Sequence, residues 1–427
     1  MTEPKKENEA EGPIQVDSPM KKWKSPQPLA FVKAAASRWS FPNWQSGNDD
    51  SVYYNMNIPS FFKTQIAFPP ENTSILERNL MPELLDLTYV DEGNDNKERG
   101  PLKEYLVGPK QVQAMMMMHQ GKVVFEVYPG MNPRDIHIWM SASKTSASLL
   151  CVLLWEDGKL DFEKSPADYV PDLKGTPWEN VTVKHVMNMC TAMDIEETFA
   201  SLSNPKSWIA SFFTALMEGK GDWRELLRTT KPLDGEKPNE RFRYSTANTQ
   251  VLTIIVEEIT NMCYTDFFNE RIWSKIGPKD AFIMGLTTHN TAVGGGSNVT
   301  TIEDMLRYAA IFTPSWKVVA KEPVVSEKAL KCIFEMGNPA CYPPSEEAAY
   351  GLRWFGHMPE KNTAQWDHAF PDGAMFKHGN MGQGIYVDPN RDFCACYFGL
   401  ASNDETVTGP DMMPGYLRAA AKKLAGK

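Results

Sequence analysis

The sequence predicts an α/β chain of the α+β kind, an antiparallel β-sheet flanked by helices with an inserted, mostly helical domain. Two observations carry this: strand-turn-strand patterns stand at residues 112–128 and again at 382–399, and the text between them reads mainly as helix. A sheet assembled from such distant stretches must bring the two hairpins together across the insertion.

In the first hairpin Val112-Gln-Ala-Met-Met-Met-Met-His119 and Val123-Val-Phe-Glu-Val-Tyr128 flank the turn residues Gln120-Gly121-Lys122. The methionine run reads as a buried strand, since thioethers fill irregular core space, rather than as a metal site. Next, Ala147 through Trp155 is apolar nearly all round, the pattern of a buried central helix. Helical signals continue at Phe162 to Tyr169, Val183 to Met193, Pro205 to Met217 and Ala247 to Thr260. Gly294-Gly-Gly-Ser-Asn-Val-Thr300-Thr-Ile-Glu303 is a glycine loop followed by a Thr300/Glu303 capping box opening a helix from Thr301 to Phe312. That loop lacks the lysine of a P-loop. In the second hairpin Gly382 to Asp388 and Phe393 to Gly399 flank Pro389-Asn-Arg-Asp392, and a last helix runs from about Asp411 to Leu424.

Four regions result. Residues 1–27 are charged and aperiodic, a disordered arm; 28–105 mix aromatic clusters with turn residues, an extended segment packed on the core; 106–160 and 291–427 form the sheet domain; 161–290 form the helical insertion.

Lys and Arg total 44 against 54 Asp and Glu, a net charge of −10 over 427 residues. This balance argues against a nucleic-acid footprint or a basic membrane patch and favours a small-molecule or peptide substrate. Without an N-terminal hydrophobic stretch or about 18 consecutive apolar residues, a cytoplasmic, reduced setting is expected, with no membrane association. The seven cysteines are odd in number and dispersed, which reads as free, mostly buried thiols; Cys394 and Cys396 share a strand face but have no second ligand pair for zinc.

Chemistry points first to Ser141-Ala-Ser-Lys144, where serine and lysine three apart at a helix start share a face and an amine can take the serine proton. The spacing also occurs at Ser18/Lys21, Ser60/Lys63 and Ser203/Lys206, but only the copy at 141 leads into the long apolar helix. An N-cap serine beside a solvated lysine is the alternative reading. Two later segments offer partners for a nucleophile: Tyr244-Ser-Thr-Ala-Asn248 at a loop-to-helix junction, and Lys377-His378-Gly379-Asn380-Met-Gly-Gln-Gly before a strand.

In this order, Ser-x-x-Lys, Tyr-x-Thr-x-Asn, then Lys-His-Gly and Gly-Gln-Gly, the chain resembles the serine β-lactamase and penicillin-binding superfamily. Its pattern is most similar to the class C-related esterases and 6-aminohexanoate-dimer hydrolases. The resemblance spans about residues 111 to 425 and takes in Gly158-Lys-Leu-Asp-Phe, Val181-Thr-Val-Lys-His-Val-Met and Tyr386-Val-Asp-Pro.

What the resemblance implies is a β-lactamase/transpeptidase-like fold and a serine hydrolase that cleaves a carboxylic ester or linear amide through an acyl-enzyme. Ser141 is then the nucleophile, Lys144 the amine that polarises it and Tyr244 the general acid/base. The oxyanion would be held by the N–H of Ser141 and one near Asn380. Lys377, His378 and Gly379 stand where relatives carry Lys-Thr-Gly or His-x-Gly, and His378 is equally readable as a structural residue at the strand edge. Asn248 is either a substrate or Lys144 contact or a backbone-binding amide at a helix start. Asp194, Glu196 and Glu197 read as a solvated loop that in relatives approaches the pocket. No metal or cofactor is implied, and a homo-oligomer is left open.

The amide two positions beyond the usual Tyr-x-Asn place counts against efficient β-lactam hydrolysis, and the missing Ser-Asp-Asn leaves a class A mechanism with a glutamate-activated water without support. An acyltransferase on the same scaffold, separable by added nucleophiles, and a catalytically silent binding protein, separable by covalent labelling, are the alternatives.

Overall fold

The computed structural model describes residues 12–91, 95–108, 112–342, 359–400 and 412–426. Its main sheet has seven antiparallel strands: β1 (Val112–His119), β2 (Lys122–Val127), β3 (Lys361–Thr363), β4 (Trp366–Ala369), β5 (Met375–Gly379), β6 (Gln383–Asp388) and β7 (Phe393–Gly399). They lie in the order β2-β1-β7-β6-β5-β4-β3, so the two hairpins expected from the sequence meet along β1 and β7. Met116 faces Cys396 and Met118 faces Cys394 across that seam.

Both hairpin turns have local causes. Between β1 and β2, Gln120 and Gly121 take φ values of 49° and 76°, the pair of left-handed residues that matches the strands' twist. Between β6 and β7, Asp388 caps a single 3-10 turn, Pro389–Arg391, by accepting the N–H of Arg391.

Alternation along the strands builds two cores. Met116, Met118, Cys394 and Cys396 point to the face covered by helices α1 (Lys144–Glu156), α2 (Thr246–Thr260) and α3 (Ile302–Ala310), while Met115, Met117, Ala395 and Tyr397 point to the face covered by α4 (Met413–Leu424). Each of the four methionines is fully buried, stabilising the fold by about 1.5–3 kcal/mol relative to exposure. A smaller sheet orders Thr64–Ala67, Phe282–Gly285, Asn298–Thr300 and His137–Ile138. Its pairing of Ile138 with Val299 sets the glycine loop beside the turn that carries Ser141.

Several expectations need correction. Of the arm proposed over 1–27, residues 1–11 lie outside the described residues, but Ile14, Met20 and Trp23 are buried against the body of the protein, so 12–27 is not a disordered arm. Residues 28–105 contain helices at Leu29–Ser37 and Asp49–Met56 rather than a purely extended run; the aromatic cluster of Trp39, Trp44, Tyr54, Phe61 and Phe62 holds them on the core. Phe162–Tyr169 forms turns with a 3-10 segment at Pro166–Asp168, and the helix expected to Met193 stops at Met187, beyond which Met189 and Ala192 are left-handed.

The capping residue of α3 is Thr301, whose hydroxyl accepts the N–H of Asp304. Thr300 instead ends a strand and binds the Trp139 indole, and Glu303 pairs with Arg78 and Arg307. Among the described residues no helix is long and apolar enough to cross a membrane.

Candidate active site

Ser141 lies in a 3-10 turn, Met140–Ser143, that runs directly into α1. In a 3-10 turn residues i and i+3 eclipse, which is why the Lys144 amine comes to rest 3.0 Å from the Ser141 hydroxyl. The turn is held from several sides. Ser143 Oγ accepts the N–H of Asn298, the Asn298 amide donates to Ser146 Oγ, and Tyr308 donates to Thr145. These small hydroxyl residues would weaken a helix on propensity alone; here their hydrogen bonds fasten a buried helix start. Met140, just before Ser141, has φ 50°, a strained value for a non-glycine residue that the surrounding contacts must enforce.

Lys144 is fully buried. Its amine reaches three oxygens: Ser141 Oγ at 3.0 Å, Thr246 Oγ1 at 3.0 Å and the Gly295 carbonyl at 2.7 Å. The glycine loop is thus a cradle for this amine. A Cβ on Gly295 would meet the Thr246 methyl at 2.5 Å, so only glycine lets the carbonyl come this close.

Tyr244 precedes α2, whose N-cap is Ser245. The Lys144 and Lys377 nitrogens stand 5.1 and 4.6 Å from its ring centroid, and Lys377 also donates to its hydroxyl at 3.3 Å. Serine and amine from one stretch, the phenol from a second and Lys377 from a third therefore lie together in one place. Phe242 and Tyr342 pack beside Tyr244 and Met189.

On β5, Lys377 forms a buried ion pair with Asp367 of β4. The second Asp367 oxygen accepts the N–H of His378 at 2.9 Å. The half-buried His378 thus has at least a structural tie to the strand edge. Gly379 passes so near the Ser141 turn that a Cβ there would fall 2.3 Å from the Trp139 carbonyl. The Asn380 side chain donates to Gln45 at 2.6 Å, which brings the N-terminal segment to the rim of the site. Asn248 sits buried in the first turn of α2, and among the described residues neither atom of its amide has a hydrogen-bond partner, so it makes neither the Lys144 contact nor the backbone bond foreseen for it.

Four residues of the site were given no role in it from sequence: Thr246, Gly295, Asp367 and Glu197. Asp367 had a legible signal. Phe370-Pro-Asp-Gly373 is a hairpin turn, and continuing the register His368 to Phe376 sets Asp367 opposite Lys377. Glu197 corrects the reading of its loop as solvated. Its carboxylate accepts the Thr246 N–H, its own N–H donates to the Tyr244 carbonyl at 2.9 Å, and Glu196 pairs with Arg243; Asp194 alone is exposed. Burial pushes the Glu197 carboxyl pKa up, against the opposing pull of the Lys144 charge, the Thr246 hydrogen bonds and the Lys377 charge.

Among the described residues no three His, Cys, Asp or Glu side chains are grouped to hold a metal. Of the thiols, Cys151, Cys190, Cys341, Cys394 and Cys396 are buried, Cys332 is partly exposed and Cys263 is exposed.

Residues 111–421 match the family model described as Beta-lactamase. A 6-aminohexanoate-dimer hydrolase of Paenarthrobacter ureafaciens is 26% identical over 292 residues, 65% of this chain and 70% of that protein. The solved structure of a candidate 6-aminohexanoate-dimer hydrolase from Bacillus anthracis superposes with a TM-score of 0.69 at 19% identity, covering 91% of this chain and 98% of the other. EstA from Arthrobacter nitroguajacolicus Rue61a gives 0.53 at 16% identity, over 75% and 94% of the two chains. The two structures share the fold described above.

Proposed function

Since the chain belongs to the beta-lactamase family, we propose that it is a serine hydrolase cleaving a carboxylic ester or an unstrained amide through an acyl-enzyme on Ser141. The observation that carries this reading is the Lys144 amine 3.0 Å from Ser141 Oγ in a buried setting. In the first step the Ser141 oxygen attacks the carbonyl carbon and its proton passes to Lys144. The carbonyl oxygen becomes an oxyanion, held by the main-chain N–H of Ser141 and one from the end of β5 near Asn380. Tyr244, tied to Lys377, relays the proton to the leaving oxygen or nitrogen as the C–O or C–N bond breaks. Water then attacks the acyl-enzyme along the reverse proton path and restores the serine.

The hydrolase name of the Paenarthrobacter relative and the esterase-like neighbour support an ester or linear amide over a β-lactam. Five buried thiols suit a reducing, cytoplasmic setting. A screen of p-nitrophenyl esters, short linear amides and nitrocefin, with Ser141→Ala as control, tests the proposal. Turnover that disappears in the variant supports it; wild-type rates in Ser141→Ala overturn it.

A further inference from the structure

Nucleophile, phenol and oxyanion donor together set the direction in which a substrate must lie. Its leaving group faces Tyr244, whose hydroxyl Lys377 of β5 holds. The oxyanion donor stands near Asn380, three residues beyond Lys377 and so at most about 10 Å further along the chain. The acyl chain therefore leaves the carbonyl on the side away from Tyr244, toward the end of β5. This direction rests on the serine-hydrolase reading, and whatever stands at that end decides which acyl groups fit.

A single helical turn, Phe41–Trp44, stands there. Ser40 caps it by accepting the N–H of Asn43, and the Gln45 N–H closes it on the Phe41 carbonyl. Residues four apart on such a turn share a face, and from that face Phe41 and Gln45 reach two different walls. Gln45 accepts the Asn380 side-chain amide at 2.6 Å. Phe41 stacks on Phe213, with ring centroids 6.1 Å apart and planes at 20°. Phe213 belongs to the helix Trp208–Glu218, which is fastened to the Glu197 loop: the Ser207 hydroxyl donates to the Ser201 carbonyl, and the Ser201 hydroxyl to that of Glu196. One turn thus joins the end of β5 to a helix tied to the loop that lies against Tyr244.

The turn is anchored from behind. Trp44 is buried and its indole donates to Asn55 at 2.7 Å, while Asn43 donates to Asp50 and Tyr54, and Asp50 pairs with Arg38. All of it lies outside residues 111–421, the part that matches the family model, so this wall is an addition to the shared body. Phe41 and Gln45 are only partly buried, which leaves surface on both for an acyl chain to meet. We infer that Phe41 and Gln45 are specificity-determining residues: they close the acyl end of the site, so that short acyl groups are taken and long ones rejected. Each methylene that a fixed wall refuses or admits is worth about 10–200-fold in discrimination.

The test is kcat/KM on p-nitrophenyl esters from acetate to octanoate, and on acetate esters of alcohols of growing length, in wild type, Gln45→Ala, Phe41→Ala and the milder Phe41→Leu. The readout is the ratio of octanoate to butyrate within one preparation, which a loss of folded enzyme does not move. Wild type should favour butyrate by at least about tenfold, the lower end of what one refused methylene is worth. Gln45→Ala and Phe41→Ala should each raise the octanoate share by about tenfold, with Phe41→Leu between them and wild type, and the alcohol series should keep its wild-type profile throughout. A wild type indifferent to acyl length, an unchanged ratio in both alanine variants, or a change confined to the alcohol series would overturn the inference. A wild-type chain that turns over none of these esters and takes no fluorophosphonate on Ser141 overturns the hydrolase reading itself, a result distinguishable from each of these.

Discussion

Lys377 and Asp367 face each other across β5 and β4 as a fully buried cation and carboxylate, and the same lysine is bound to the Tyr244 hydroxyl. The candidate general acid is thus anchored to a charge that is already compensated. Asp367→Asn leaves the ammonium without its counter-charge, and breaking a buried pair from one side costs about 3–5 kcal/mol. Urea denaturation should show that loss, together with reduced turnover. The double variant Lys377→Met, Asp367→Leu should recover much of the stability and none of the activity, because an apolar pair replaces the charges without anchoring the phenol. Full activity in the double variant would contradict the anchoring role.

Tyr244→Phe keeps the ring that packs on Phe242 and Tyr342 and deletes only the hydroxyl. If the phenol relays the proton, turnover of an alkyl ester should fall by about 10²–10⁴ while the melting temperature stays within a few degrees. A p-nitrophenyl ester, whose leaving group needs little protonation, should lose less. Equal losses on the two esters would argue against a leaving-group role.

Gly379→Ala places a methyl 2.3 Å from the Trp139 carbonyl and 2.9 Å from the Gln383 Cβ, and the first of these is backbone that cannot swing aside. Overpacking of this kind costs about 1–3 kcal/mol. The strain falls on the contact between β5 and the Ser141 turn. A variant that melts slightly earlier but has lost most of its turnover is the expected result, read by thermal denaturation and initial rates on one preparation.

Two buried histidines predict an acid-sensitive fold. Burial lowers the His137 pKa to about 4; burial, together with the Lys377 and His378 charges, lowers that of His368 to about 3, both below the unfolded value near 6.5. Because the folded values are depressed, their contribution is complete above about pH 6.5. It is lost as the pH falls toward the folded values, since the unfolded chain takes up protons that the folded chain refuses. Each histidine accounts for a loss of order 3 kcal/mol. The melting temperature should decline from pH 6.5 to pH 4.5, and a flat profile over that range would refute the assignment.

The sheet was legible because its signals are short-range. Continuous apolar runs at Met115–Met118 and Phe393–Phe398, with Gln120-Gly121 and Pro389–Asp392 between strands, mark two hairpins from neighbours alone. The boundary of α3 was misplaced by one residue because Thr300 and Thr301 are equivalent as text; only the Trp139 indole, 161 residues away, takes Thr300 out of the competition. Glu197 was read as solvated because nothing in an acidic loop says which carboxyl turns inward.

Sequence by itself determined the hairpins, the buried helix after Ser141 and the three motifs whose side chains meet at the candidate site, since each depends on residues within a few positions of one another. Tertiary structure alone decided what surrounds the amine. Thr246 and Gly295 reach Lys144 across 102 and 151 residues, and Glu197 reaches Thr246 across 49. Hydrogen bonding at such separations is set by how elements pack, a property of the whole chain that local spacing does not encode.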